Sequence, residues 1–193
     1  MKRYKNHYGV GGVGVLERPL PRPTAGEYAS ARVLESLVEG RLAVEFLERG
    51  LVRNAAGKAF QAWRALLAAL LRLELDKLLK AAKTDEERKW LVERAVLTTR
   101  MKLLSQMLEG VGHVGIVAWT NTALLLHEYQ YHGPDPDLAA SMYRSKEEAA
   151  RDVELLVSEL ARRADGLRQR VKWDAELEEA LSALKEELSG GSV

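Results

Sequence analysis

The sequence predicts an all-α protein, an antiparallel multi-helix bundle behind an extended Gly/Pro-rich N-terminal strap. Three observations carry this expectation. Apolar residues recur at helical period from about residue 25 onward, hydroxyl–acid pairs with capping-box spacing stand before several of those stretches, and no segment alternates convincingly with the period of a strand. With 193 residues, 47% hydrophobic and 30% charged, the chain is in the range of one globular domain with a sizeable core. We expect residues 1–23 to form the tail and 24–193 a single bundle domain.

The tail holds most of the glycine clustering and three of the five prolines, Pro19, Pro21 and Pro23. Prolines at alternate positions exclude helix and favour an extended path. Beyond them the pattern predicts helices near 25–49, 52–82, 85–96, 99–110, 113–131, 145–171 and 174–189. Thr24–Glu27, Thr84–Glu87 and Ser145–Glu148 have capping-box spacing, in which the hydroxyl takes a free N–H and the acid reaches back to the cap. Asp174 is placed to cap the last helix through its carboxylate. Gly50 and Gly133-Pro134 mark helix ends.

The faces agree with those boundaries. Val33, Leu37, Val44 and Leu47 form one stripe, with Gly40 allowing close approach. Val153, Leu156, Val157, Leu160, Ala164, Leu167 and Val171 form another. Ala59 to Leu71 is apolar nearly all round, so the second helix should be the central one.

The formal charge of +1 gives no global field toward nucleic acid or membrane, so any basic patch has to be local. No cysteine is present, which excludes disulfides, thiolate zinc sites and cysteine nucleophiles and suits a reducing cytosol. The start lacks an apolar core and a small-residue cleavage site, and no apolar run is long enough to span a bilayer, so a cytoplasmic protein is expected. Abundant Glu, Arg and Lys with few Asn is a composition met in heat-adapted proteins.

Arg53 to Leu71, RNAAGKAFQAWRALLAALL, entered from a helix ending in EFLERG, looks like the second helix of HEPN-type bundles. Leu124 to Asp137, LLLHEYQYHGPDPD, with a capped helix soon after, is more distinctive. Together they resemble the archaeal PaREP group of HEPN-like proteins over roughly residues 24–171. The resemblance implies an up-and-down bundle that tends to dimerise. In the wider superfamily it implies RNA cleavage by an Arg followed four to six residues later by a His. Only His7 with Arg3 has that spacing, and both lie in the tail. His113, His127 and His132 have no Arg in the window, so the nuclease assignment does not carry over. Labels linking some relatives to helicase subunits find no helicase motif here.

The strongest local constellation is His127, Glu128, Tyr129, Tyr131, His132, Asp135 and Asp137. Glu128 and His132, like His127 and Tyr131, are four apart and share a helix face. Pro134 and Pro136 stiffen the turn that follows. His132 with the carboxylates would suit a hard or borderline cation, or a His near neutral pKa could act as acid or base. The simpler alternative is structural, with the tyrosines packed on the last long helix and the His and Asp capping the helix end and turn.

Other signals are read the same way. Gly9, Gly11 and Gly14 match G-x-G-x-x-G but precede Leu16-Glu17-Arg18-Pro19 and not a helix, so a strap is the better reading. Gly57-Lys58 mimics the end of a phosphate loop, yet Val52 replaces its first glycine and Ala59 its Ser/Thr. There Ala55, Ala56, Gly57, Ala59 and Ala62 are expected to let helices approach closely. Lys2, Arg3 and Lys5, interleaved with Tyr4 and Tyr8, are candidates for nucleic-acid contact. Leu177, Leu181, Leu184 and Leu188 form a stripe that either closes the bundle or makes an interface between copies.

Three functional classes follow. The first is a non-enzymatic interaction or scaffold protein, a self-associating homodimer. The second is a nucleic-acid-associated accessory module, helicase-linked or of toxin–antitoxin type. The third is an enzyme or metal binder using the His127–Asp137 turn. No catalytic residue, cofactor, metal or membrane partner is assigned from the sequence.

Overall fold

The computed structural model describes residues 12–23, 26–93 and 98–190. Among them are eight α-helices and no strand: α1 (Tyr28–Glu48), α2 (Val52–Leu73), α3 (Leu75–Ala81), α4 (Asp85–Glu93), α5 (Met101–Gly110), α6 (Ile116–His132), α7 (Lys146–Asp165) and α8 (Ala175–Gly190). No helix of the described residues is long and apolar enough to cross a membrane.

The central position expected for α2 is observed. Ala55, Ala56, Ala59, Phe60, Ala62, Trp63, Leu66, Leu67 and Ala69 are completely enclosed, and α1, α5, α6 and α7 all pack on it. The single polar intrusion deep on this helix, the Trp63 indole, donates to Thr120 Oγ1 at 3.0 Å, which removes the cost of burying it. α1 and α2 are neighbours because a tight turn joins them, closed by Gly50 N–H to Leu47 O and Leu51 N–H to Phe46 O. Gly40 of α1 faces Val157 and Leu160 of α7 and Leu184 of α8.

The caps work as expected with one shift of detail. Glu87 N–H donates to Thr84 Oγ1 at 3.1 Å and Glu148 N–H to Ser145 Oγ at 3.2 Å. The reciprocal acids take the N–H one residue before the cap, Lys83 at 2.7 Å and Arg144 at 2.7 Å. Asp174 accepts from Leu177 N–H at 3.0 Å. Thr24 lies outside the described residues.

Four boundaries differ from the sequence reading. Residues 13–17 form a 3-10 turn, so the strap is not extended throughout; it seats Val15 in the core, and Arg18 pairs with Glu176 of α8 at 2.8 Å. α6 starts at Ile116 because Gly115 adopts φ +77°, a left-handed backbone that stops any helix from running through it. α7 ends at Asp165 in a series of turns, although Leu167 remains buried. The long second helix breaks at Glu74. There φ is −104° and ψ 9°, yet Glu74 N–H still bonds Leu70 O and Leu78 N–H bonds Glu74 O. These two bonds flank the bend.

The bend points a carboxylate inward. Glu74 is only 3% exposed. Its Oε1 lies 3.0 Å from His113 Nε2 and 2.7 Å from Arg170 Nη1, and its Oε2 lies 2.8 Å from Lys77 Nζ. Burial alone would raise its pKa, but Lys77, Arg170 and His113 outweigh that and hold it down to about 2.

The α8 stripe is used inside the chain. Leu177, Leu181 and Leu184 are buried and Leu188 packs on the same core. The stripe packs against α1 and α7 within the bundle. Beside it Glu187 meets Arg41 Nε at 3.3 Å. Burial pushes its carboxyl up to about 7, with Glu45 and Glu48 adding to the shift and Arg41 opposing it.

Two titratable groups should act on stability with opposite sign. Glu74 has a folded pKa below its unfolded one, so its stabilisation is present above about pH 4.5 and fades toward pH 2. Glu74→Gln should cost about 3 kcal/mol at pH 7 in urea denaturation, with the difference closing near pH 2. Glu187 has a raised folded pKa, so stability is lost as pH rises from about 4.5 to 7. Glu187→Gln should stabilise by up to ~3 kcal/mol at pH 8 and have no effect below pH 4.

Candidate binding groove

Where α2 reaches the surface, its residues turn polar on one side. Arg53, Gly57, Gln61 and Arg64 follow each other at spacings of four, four and three, with Asn54 and Lys58 beside them. This side faces the last turns of α6, which carry His127, Gln130 and Tyr131. An open groove of about 560 Å³ lies between the two helices, lined by Arg53, Asn54, Gly57, Lys58, Gln61, Gln130 and Tyr131, with Phe46 of α1 at its edge.

Each wall is fixed locally. Arg53 Nε donates to Gln130 O at 3.0 Å and its Nη2 to Tyr131 O at 2.6 Å, so this guanidinium caps the free carbonyls ending α6. Gly133 ends the helix at φ +72° and returns its N–H to Tyr129 O. Gly57 matters sterically. A Cβ there would collide with Gln130 Oε1, so the missing side chain lets Gln130 lie across α2. Gln130 Nε2 in turn donates to His127 Nδ1 at 2.5 Å.

The His127 ring is stacked on Phe60, 4.0 Å between centroids at 22°, and Tyr131 meets it edge-on at 5.3 Å and 84°. Burial is the first cause lowering the His127 pKa, and the Arg64 charge is the second. Beneath the groove Lys58 Nζ lies 2.9 Å from Oε2 of Glu39, which is 8% exposed. Burial raises the Glu39 pKa while Lys58 opposes the rise. The charged residues lining the groove are Arg53 and Lys58; no carboxylate lines it.

The seven residues singled out around His127–Asp137 are not brought together. Tyr129 is buried edge-on against Tyr143, whose hydroxyl donates to Asp152 of α7 at 2.7 Å. Asp135 folds the turn by accepting from the N–H groups of Asp137, Ala140 and Ser141, and the Ala140 bond leads in lowering its pKa. Glu128, His132 and Asp137 point to solvent. Of the seven only Tyr131 lines the groove, with His127 packed behind its ring. No group of three His, Asp or Glu residues among the described residues is arranged to hold a metal. His113 is engaged by Glu74. Lys2, Arg3 and Lys5 lie outside the described residues, as do Gly9 and Gly11.

Arg53→Ala should lower stability by roughly 1–3 kcal/mol, since two charged hydrogen bonds are lost. Amide exchange should speed up at Tyr131–Gly133, the turn that Arg53 holds, and stay unchanged in α8.

No curated protein and no solved structure matches the chain. A family match does, extending from the first turn of α1 through the groove helices and the Asp135 turn into α7, over residues 31–154. With that share of its length matched, the chain belongs to the archaeal PaREP1/PaREP8 family.

Proposed function

We propose that this chain is a non-enzymatic binding protein that holds an anionic partner in the groove between α2 and α6. One observation carries the reading: the groove lining holds the Arg53 guanidinium, fixed only by neutral carbonyls, the Lys58 ammonium, paired from beneath with Glu39, and several amides, and no carboxylate. Three of the groups that could have served acid–base chemistry are engaged in structure, while Glu128, His132 and Asp137 stand in solvent outside the groove. Asp135 is saturated by backbone N–H groups, His127 is packed on Phe60 and bonded by Gln130, and His113 is bound to Glu74. The high charge content and lack of cysteine are in keeping with a cytoplasmic, heat-adapted setting.

Self-association is a second reading, and it needs a surface other than α8. Leu51 and Tyr131, both exposed beside the groove, offer the apolar area for it. A homodimer seen by light scattering and dissociated by Tyr131→Glu would support it; a monomer at all working concentrations would refute it.

Anion binding is tested by titrating the full chain with heparin at low salt while following backbone amides by NMR. The expected shifts cluster at residues 53–61 and 130–131, with α8 unmoved, and fade as salt rises. Binding at background level, or shifts spread evenly over the surface, would overturn the reading.

A further inference from the structure

The groove combines its charge with a feature that charge alone does not require. Tyr131 is 65% exposed, yet its ring is not free to wander, because His127 holds it edge-on and Phe60 holds His127 from behind. Each contact in this row removes rotamer freedom from the next ring. The outermost ring therefore keeps a flat face in water with its orientation already set, and stacking on it has little ordering cost.

The neighbouring polar groups have matching chemistry. Among the described residues the Asn54 and Gln61 amides make no side-chain hydrogen bond and line the groove. A carboxamide offers a donor and an acceptor side by side, which is the pattern that pairs with the edge of a heterocyclic base. Arg53 and Lys58 lie along the same wall. The volume of about 560 Å³ is in the range of a small-molecule site, about one nucleotide with its flanking phosphates.

We propose that the anionic partner is single-stranded nucleic acid, with one unstacked base on the Tyr131 ring, its edge toward Asn54 and Gln61, and adjacent phosphates on Arg53 and Lys58. The proposal rests on the anion-binding reading above and narrows it. A duplex keeps its bases stacked on each other and has no free face for Tyr131. An acidic peptide would satisfy the two cations equally well, but it brings no planar heteroaromatic group to use both the ring and the amides. Charge complementarity selects an anion; the ring and the amides select a base.

The test uses the full chain and fluorescence anisotropy with labelled hexamers of uridylate and thymidylate. A poly-glutamate peptide of equal charge and heparin serve as comparisons. One to two phosphates neutralised, by Arg53 and by Lys58 in competition with Glu39, predict a slope between about −0.7 and −1.4 in log K against log salt. Tyr131→Ala should weaken hexamer binding about 5- to 100-fold and heparin binding by a much smaller factor, and Tyr131→Phe should bind both like the parent. Because Tyr131 is exposed, thermal melts of both variants should overlay the parent, which separates lost stacking from lost fold. Hexamer affinity that survives Tyr131→Ala would overturn the proposal. Poly-glutamate binding as tight, with the same dependence on Tyr131, would replace nucleic acid by an acidic peptide. Heparin binding without hexamer binding sinks this inference alone, whereas failure of heparin as well removes the anion-binding reading beneath it.

Discussion

A helix that is apolar on nearly every side has to be enclosed, and enclosing α2 sets the arrangement of the other helices. α1 covers it through a tight turn, α6 and α7 cover it from the other sides, and α5 packs on it as well. Burying a large apolar side chain is worth about 1.5–3 kcal/mol, and α2 contributes Phe60, Trp63, Leu66, Leu67 and Leu70 to the core with almost no exposed surface. The small residues Ala55, Ala56, Ala59 and Ala62 let the neighbouring backbones come close enough to complete the cover. Where this demand relaxes, near the start of α2, polar residues appear, and the groove is the part of the helix that the others leave open.

Polar groups in this molecule fall into two kinds. Most of the large ones that enter the core are matched, Trp63 with Thr120, Tyr143 with Asp152, and Glu74 with partners from α3, the loop before α6 and the segment after α7, whereas Ser36 Oγ and Trp90 Nε1 are buried with no partner among the described residues. An unmatched carboxylate at Glu74 would cost several kcal/mol, so the three segments that meet it are tied to one another through it. Those in the groove are different, since the Asn54 and Gln61 amides reach water with no partner among the described residues. The contrast separates polar chemistry used to hold the fold from polar chemistry left available at its surface.

Period, caps and apolar faces were enough to place nearly every helix, because each is decided by residues within a turn or two of one another. The central place of α2 was legible for the same reason. The break at Glu74 was not, and the His113 and Arg170 groups that meet its carboxylate are far away in sequence. The role of Leu177, Leu181 and Leu184 was ambiguous for a related reason: an apolar stripe has the same pattern whether it meets its own bundle or another copy. At the candidate site the sequence pointed to His127 and Tyr131 but joined them to Asp135, whose carboxylate backbone N–H groups hold to fold a loop, and to Asp137, whose side chain faces solvent. Arg53, Asn54, Lys58, Gln61 and Gln130 were missed as a group. Their signal was present as a polar line at spacings of four, four and three on an otherwise apolar helix, but its α6 half was not visible without the packing.

The way Arg53 is held bears on what the groove can do. An arginine fixed by a carboxylate is well placed but has its charge cancelled, as Lys58 has in large part through Glu39. Arg53 is fixed by two neutral carbonyl oxygens at the end of α6. The helix end carries a partial negative charge, roughly half an elementary charge at most and shared with water, so most of the guanidinium charge remains uncompensated. The same contacts that close α6 therefore aim a cation into the groove without neutralising it. Gly57 contributes beside it, because a side chain there would displace the Gln130 carboxamide from its place across α2. Fold and charge are coupled at this point: a change that loosens the α6 terminus should also scatter the positive charge that the groove presents.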